Sequence, residues 1–472
     1  MADPISGTIS AIHPRTTSRD DAAEHDRTLF ALGNADLLAN RPSSALTAYR
    51  RAIALCPHAI WLLSNAAEAL AQLNEVSNAV AWQRRALAVT RGAAKVLANL
   101  AHALTRLDQP DAGLSEARAA ICLEPALSAA HVNHGLAATT LDLQSYAELF
   151  FRRALAIAPE SAEASFALAT VRLKAGDLLQ GFRLYEHRLR LASMRSAGEQ
   201  WPAPMWNGRF VPGLRLLLWC EQGFGDAIHF VRYAPILARH GIKIVLATPA
   251  PLKRLFSCLE PQIQICGLDD TPPVDVQLPL MSLPHLLKTD LGDIPSATPY
   301  LSRVTAEGNP AAARGGPLRV GFVWAGRPEY SLDRIRSIPP DLVPSLVSAL
   351  STSGGELHSL QIGPRQRDLA GLQTPIVDHG ESLHDFADTA DAILRMDLVV
   401  SSDSAVSHLA GALGRPTWVL LAYSAEWRWL EGRSDSPWYP SARLYRQPRR
   451  GDWDAVIWSV ARDLAAWRSG VR

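Results

Sequence analysis

Cysteine is scarce in this chain, with five in 472 residues, and Cys56, Cys122, Cys220, Cys258 and Cys266 are scattered without a C-x-x-C pair. An odd, dispersed set argues against a disulfide framework or a structural zinc site; these residues are expected to be buried small hydrophobes. No run of about 18 uninterrupted apolar residues occurs, so no transmembrane segment is expected. The opening stretch MADPISGTISAIHPRTTSRDDAAEHD has no apolar core of a secretory signal. Together these absences predict a cytoplasmic protein with a disordered tail over residues 1–26. Charge of one sign is lacking too: 47 Lys and Arg oppose 46 Asp and Glu, which removes the global basic field of a nucleic-acid binder. H-E-x-x-H, G-x-S-x-G and G-x-x-x-x-G-K-[ST] are missing, which disfavours zinc hydrolysis, serine hydrolysis and P-loop chemistry. The one D-x-D, Asp452-Trp453-Asp454, opens a predicted terminal helix, where acids act as caps. A reaction without a metal is the expectation.

What the chain does contain begins with a repeat. At a period of 34, Ala45, Ala79, Gly113 and Ala147 share one position, and Ala52, Ala86, Ala120 and Ala154 another. Pro57, Pro125 and Pro159 share a third, with Arg91 the exception. An aromatic or substitute register runs Tyr49, Gln83, Ala117, Phe151, and a small one Gly33, Ala67, Ala101, Gly135. This is the tetratricopeptide pattern, in which small residues let paired helices approach and proline ends the second helix. A solenoid over residues 27–195 is predicted, its partial last unit carrying Leu168, Ala169, Gly181 and Tyr185. Stacked repeats present a concave face suited to a protein or peptide. The other reading is that they only form a homo-oligomer or prop up the second half.

From Trp201 the composition changes, and eleven of thirteen tryptophans lie at or beyond it. WPAPMWNGRF (201–210) reads as a linker. Apolar runs then alternate with helical patterns: strands at 214–221, 242–248, 263–266 and 274–280, and helices at 227–240 and 251–259. After a second linker, 307–317, come strands at 319–326, 356–363 and 374–380 and helices at 341–350, 383–396 and 452–468. Such alternation predicts parallel sheets with helices on their faces, in two halves (206–310 and 311–472) facing across a cleft.

The stretch around which the second half is organised is LVVSSDSAVSHLAGALGRPTWVLL (398–421). It reads as strand, polar elbow, small-residue helix and strand. Ser402, Asp403, Ser404 and Ala405 stand where a strand ends and a helix N-terminus offers free N–H groups, which makes them a candidate diphosphate seat; His408 follows one turn later. A plain N-cap is the alternative for the serines and the aspartate. In the first half, Gly223-Phe224-Gly225-Asp226 falls short of G-x-G-x-x-G because Ile228 stands at its third glycine, so a hydride-transfer cofactor is disfavoured. Gly223 and Gly225 permit close approach of a ligand to the backbone, and Asp226 suits a base or charge stabiliser, alone or with His229; as an N-cap it is structural. Arg327, Arg334 and Arg336 are candidates to clamp phosphates, or else a solvated loop. Trp427, Trp429, Trp438 and Tyr439 can stack a base or sugar, although packing is expected for at least two of them.

With those residues in view, CEQGFGDAIHFVRYAPIL, VGFVWAGRPEYSLDRIRSIP, HSLQIGP, SSDSAVSHLAGALGRPTWVLL and DSPWYPSARLYRQP, together with the repeats, resemble bacterial tetratricopeptide glycosyltransferases. The catalytic part is similar to lipopolysaccharide heptosyltransferases and the layout to protein O-GlcNAc transferases. The resemblance implies a glycosyltransferase of the B fold with two Rossmann-like domains. It also implies an acceptor side in the first half, a nucleotide-sugar side in the second, inverting transfer, and no cofactor beyond the nucleotide sugar as substrate. It makes Asp226 the base, and Asp403 to His408 the holder of the diphosphate. Where many relatives carry Lys after Ser-Leu-Gln, this chain has Gln361 and then Ile362. Charge on the leaving diphosphate then falls to Arg334, Arg336 or helix dipoles. The leading expectation is transfer of a sugar to a hydroxyl of a protein or peptide selected by the repeats. The alternatives are a repeat scaffold that has lost catalysis, for which Ile362 argues, and transfer to a saccharide or lipid in envelope assembly.

Overall fold

The computed structural model describes residues 21–90, 92–191, 194, 200–302, 317–328, 330 and 333–468. The expected tail up to residue 20, Arg91, and residues 307–316 of the second expected linker lie outside the described residues. Residues 21–26, expected in the tail, instead belong to the first helix. The chain divides into two compact units, one running to Arg172 and including Arg183–Gly198, the other comprising Leu173–Phe182 and Glu199–Arg472.

The first unit is the helical repeat. After α1 (Asp21–Leu38), the second helices of successive pairs are α2 (Pro42–Leu55), α4 (Val76–Val89), α6 (Pro110–Leu123) and α8 (Gln144–Ile157). The alternate helices are α3 (Ile60–Gln72), α5 (Ala94–Arg106), α7 (Ser128–Thr140) and α9 (Ala162–Lys174); α10 (Leu178–Tyr185) continues the first series, although the end of α9 and most of α10 are counted with the second unit. Both series start every 34 residues. The cause is visible in the core. Ala52, Ala86, Ala120 and Ala154 are fully buried, where a longer side chain would force the helices apart. A Cβ on Gly33 would sit 2.5 Å from the Tyr49 ring, and Gly135 stands against Phe151 in the same way. One and two repeats on from Gly33 and Tyr49, the buried residues are Ala67 with Gln83 and Ala101 with Ala117. Glycine thus occurs where the register opposite is aromatic, and alanine where it is not. The turns between paired helices place Asn40, Asn74, Asp108 and Asp142 at φ of 55°, 63°, 64° and 62°. Asn and Asp tolerate this left-handed region better than other side chains with a Cβ.

One buried acid in this unit makes stability depend on pH. Burial pushes the Glu68 carboxyl up to about 7, against the pull of the Gln72 amide and Arg106. Its folded pKa lies above the unfolded value of 4.5, so the folded state favours the neutral acid. That contribution is full below about pH 4.5 and is lost as pH rises through 7. Glu68→Gln is expected to flatten this part of the profile and to stabilise the protein at pH 8, by about 3 kcal/mol at most. Urea midpoints of both proteins at pH 5 and pH 8 check this; equal midpoint shifts at the two pH values would contradict it.

The second unit holds two sheets. β1 (Arg215–Trp219), β2 (Lys243–Ala247), β3 (Ile263–Cys266) and β4 (Val276–Pro279) form a parallel sheet in the order β3-β2-β1-β4. β5 (Arg319–Val323), β6 (Glu356–Ser359), β7 (Ile376–Asp378), β8 (Leu398–Ser402), β9 (Thr417–Leu421) and β10 (Ala442–Arg446) form a second, in the order β10-β9-β8-β5-β6-β7, again all parallel. The chain is therefore an α solenoid followed by α/β with two parallel sheets, as in the B-fold glycosyltransferases. The second order is that of a doubly wound nucleotide-binding sheet, and it reverses between β5 and β8. The first reverses between β1 and β4. Ligands of open parallel sheets bind outside the strand carboxyl ends at such reversals, so the segments after β1, β5 and β8 are where a site belongs.

Several expectations need correction. The helix read over 227–240 runs instead as Phe224–Phe230, a 3-10 turn at Val231–Tyr233, and Ala234–Arg239, with Pro235 fitting the first positions of the last piece. Residues 201–210 do not behave as a loose linker. Trp201 packs on Trp219 with centroids 4.9 Å apart, Met205 bridges to Gln277, and Trp206 is buried. β10 was not anticipated, because Arg443 and Arg446 interrupt its apolar pattern. Of the cysteines only Cys220 and Cys266 are buried, while Cys122 is exposed.

Candidate active site

β8 ends at Ser402, and the helix Ala405–Ala412 starts after a two-residue elbow. The elbow hydroxyls mostly hold the elbow itself. Ser404 is the N-cap, its Oγ accepting the Val406 N–H at 3.3 Å; Ser407 Oγ donates to the Ser404 carbonyl at 2.7 Å; Ser401 Oγ donates to the Ser402 carbonyl at 2.8 Å. Ser402 is fully buried. Ser404 and Ser407 thus do what caps do. What remains for an anion is the backbone at Ala405, which is half-buried, and the Ser402 hydroxyl, which is buried with no hydrogen-bond partner among the described residues.

Opposite the elbow helix lies the Phe224–Phe230 helix. A Cβ on Gly225 would stand 3.0 Å from His408 Cδ2 and 3.5 Å from Ala405 Cα. The backbone approach expected for a ligand is therefore used by a neighbouring helix. Gly223 starts the same helix, donating its N–H to Asp226 Oδ2 at 2.8 Å. Asp226 is accordingly the third helical residue, its carboxylate reaching back to the N-cap N–H, rather than the N-cap itself.

Asp226 also accepts a hydrogen bond from Arg428, which pairs as well with Glu426. Arg428 is 5% exposed, and its guanidinium lies 4.2 Å from the Trp427 ring centroid. Burial pushes the Glu426 carboxyl up to about 7, although Arg428 pulls it down. Burial also raises the Asp403 carboxyl, opposed by Arg336, the Trp429 indole and Arg428. Charge from all three loops thus meets here: Asp226 after β1, Arg336 after β5, and Asp403 after β8. Neither Arg428 nor Glu426 was expected from the sequence. Their only signal was a charged pair within an aromatic run.

The other expected residues divide. Arg336 pairs with Asp333 at 3.3 Å and lies over Tyr330, whereas Arg334 is exposed. Gln361 is buried and spent on backbone: its Oε1 accepts from the Trp324 and Ala325 N–H groups at 3.3 and 3.0 Å, and its Nε2 donates to the Ile362 carbonyl at 3.0 Å. It shapes the β5 exit rather than presenting an amide to a nucleotide. Ile362 is 54% exposed. His229 does not join Asp226. Its Nδ1 lies 2.9 Å from the Tyr439 hydroxyl, which also lies 3.1 Å from His408 Nδ1. Burial holds both imidazoles well below their usual pKa, hence neutral. His408 stacks on Trp429 with centroids 5.1 Å apart. All of Trp427, Trp429, Trp438 and Tyr439 are buried, so packing, expected for at least two of them, claims all four. Beneath them Arg232 donates to the Trp438 carbonyl at 2.7 Å and to the Tyr300 hydroxyl at 3.0 Å.

Among the described residues no helix is long and apolar enough to cross a membrane, and no group of three or more His, Cys, Asp or Glu is placed to hold a metal. Residues 383–451 match the model of glycosyltransferase family 9 (heptosyltransferase). That segment contains β8, the elbow and Arg428. The chain is 27% identical over 336 residues to Protein FlbA of Caulobacter vibrioides, covering 64% of this chain and 55% of FlbA, so it spans about half the length of that curated relative. Among solved structures it is similar to TTC0263, a thermophilic tetratricopeptide protein of Thermus thermophilus, at 24% identity and a TM-score of 0.34, covering 36% of this chain and 95% of that one. A second is PilF of Pseudomonas aeruginosa, at 17% identity and a TM-score of 0.32, covering 38% and 90%. The chain thus joins tetratricopeptide-like repeats to a heptosyltransferase-like glycosyltransferase region.

Proposed function

We propose that the protein is an inverting glycosyltransferase that moves a sugar from a nucleotide-sugar donor to a hydroxyl of a protein or peptide acceptor selected by the repeats. The observation that carries this reading is the meeting of Asp226, Arg336, Asp403 and Arg428 at the chain reversals of two parallel sheets, with Asp403 and Arg428 inside the segment that matches family 9. The donor diphosphate would lie at the elbow, against the N-terminus of the Ala405–Ala412 helix, with Arg336 and Asp403 beside it. The acceptor oxygen bonds C1 of the sugar, its proton passes to Asp226, and the C1–O bond breaks with its electron pair leaving on the diphosphate. Attack from the side opposite the leaving group inverts C1. Positive charge for this step is available from arginine and helix N–H groups, so the reading calls for no metal.

Thermal stabilisation of the purified protein by UDP, GDP, ADP, CMP and dTDP tests it, because a ligand of the folded state stabilises it by about 2.7 kcal/mol at a hundredfold its Kd. At least one nucleotide is expected to raise the melting temperature, and Asp403→Ala to abolish that rise. If none does at millimolar concentration, the scaffold reading, which the exposed Ile362 favours, takes its place.

A further inference from the structure

A hydroxyl that approaches Asp226 must share its carboxylate with the groups already bonded to it. Both of its oxygens are engaged, Oδ2 by the Gly223 N–H and Oδ1 by Arg428. Arg428 is shared in turn. Its other terminal nitrogen holds Glu426, and Glu426 also accepts the Arg428 backbone N–H at 2.9 Å. The side chain is almost wholly buried, so water that would loosen an exposed pair is kept away from it. A third carboxylate, Asp403 of the elbow, lies within the field of the same guanidinium.

We propose that Arg428 is an exchangeable counter-ion: a nucleoside diphosphate seated at the elbow draws it from Asp226, so that donor binding releases the base. The proposal rests on the nucleotide-sugar reading above and adds an order of events to it. A diphosphate carries more charge than one carboxylate and offers oxygens on two phosphates to the planar fork of a guanidinium. Glu426 remains the anchor throughout, because its carboxylate holds both the side chain and the backbone of Arg428, and the guanidinium pivots instead of swinging free. With no donor present the base stays neutralised. With the donor seated, the acceptor oxygen bonds C1 and its proton passes to Asp226 Oδ1. The C1–O bond then breaks and its electron pair goes to the diphosphate, whose added charge meets Arg428. One movement frees the base and offsets the leaving group. In the second of these roles it joins Arg336 and the helix N–H groups, since Gln361 is spent on backbone and Ile362 carries no charge.

The test is calorimetric titration of the full chain with UDP, GDP, ADP and dTDP in turn, using wild type, Asp226→Asn, Arg428→Gln and the double variant. Asp226→Asn removes the competing charge at constant shape, and is expected to bind the preferred nucleotide about tenfold more tightly. Arg428→Gln is expected to bind at least about tenfold more weakly. In the double variant the gain from Asn disappears, which separates competition for Arg428 from mere relief of repulsion between Asp226 and an anion. Should Arg428→Gln fail to fold, Arg428→Lys retains the charge without the fork and is expected to fall between the two. Unchanged affinity in Asp226→Asn, or a gain that persists without Arg428, overturns the proposal while leaving the donor site standing. Absence of binding by every nucleotide to every variant overturns the donor site as well.

Discussion

Asp226→Asn is expected to slow a single turnover of sugar transfer by about 10²–10⁴-fold, the range that positioned proton acceptors contribute. Asn keeps an oxygen for the Gly223 N–H, which Asp226 accepts at 2.8 Å, so the helix start survives the change. What it removes is the ability to take a proton. Donor binding must persist, so that rate and affinity separate: transfer falls while nucleotide affinity holds or rises. Rapid-quench measurement under saturating donor, with far-UV circular dichroism as the control for folding, reads this directly. A rate within a factor of about three of wild type would remove Asp226 from the role of base.

The second large effect concerns the buried histidine pair. Tyr439 is 1% exposed, and its hydroxyl lies between His229 of the first half and His408 of the elbow helix. Gly411 leaves room for the ring, since a Cβ there would lie 2.5 Å from Tyr439 Cδ1. The Arg232 guanidinium sits 4.6 Å from the ring centroid. Burial raises the phenol well above its usual pKa and keeps both imidazoles neutral, so the hydroxyl can donate to one ring and accept from the other. Tyr439→Ala is expected to cost about 3–5 kcal/mol through loss of a buried ring. Tyr439→Phe keeps the ring and leaves both histidine nitrogens without that partner, which is expected to cost about 1–3 kcal/mol. Urea unfolding followed by tryptophan fluorescence suits this comparison, because eleven of the thirteen tryptophans lie at or beyond Trp201. A Phe variant as stable as wild type would mean that the hydroxyl does not join the two histidines.

The sequence disclosed the parts of the fold that repeat or alternate. Ala52, Ala86, Ala120 and Ala154 are local in meaning: each small residue marks a helix contact in its own repeat, and the period exposes the set. β1 and β8 are buried on both faces and carry unbroken apolar runs, 216–219 and 398–400, which needed no partner to be read. A further local signal, the series Asn40, Asn74, Asp108 and Asp142, was also present in the letters, and its meaning became plain only with its backbone angles. The site was less legible because its contacts are distant in the chain. Arg428 reaches Asp226 across 202 positions, and no spacing rule spans that gap. Gly225 looked like room for a ligand, but the neighbour that fills the room, Ala405 and His408, comes from another half of the unit. Gln361 stood at a strand end where a nucleotide could be met, yet its amide closes backbone groups of β5's exit. In each case the residue was seen and its partner was not.

The central claim is that this region consumes a nucleotide sugar, and the direct measurement is release of nucleoside diphosphate. The protein would be incubated with the sugar conjugate of whichever nucleotide stabilises it, with product separated and quantified. The account predicts nucleoside diphosphate released by wild type, by transfer or by slow hydrolysis, and release reduced by about 10²-fold or more in Asp226→Asn. A conjugate that binds at the elbow, loses affinity in Asp403→Ala, and is returned intact by wild type would contradict it, and would leave a nucleotide-binding repeat scaffold in its place.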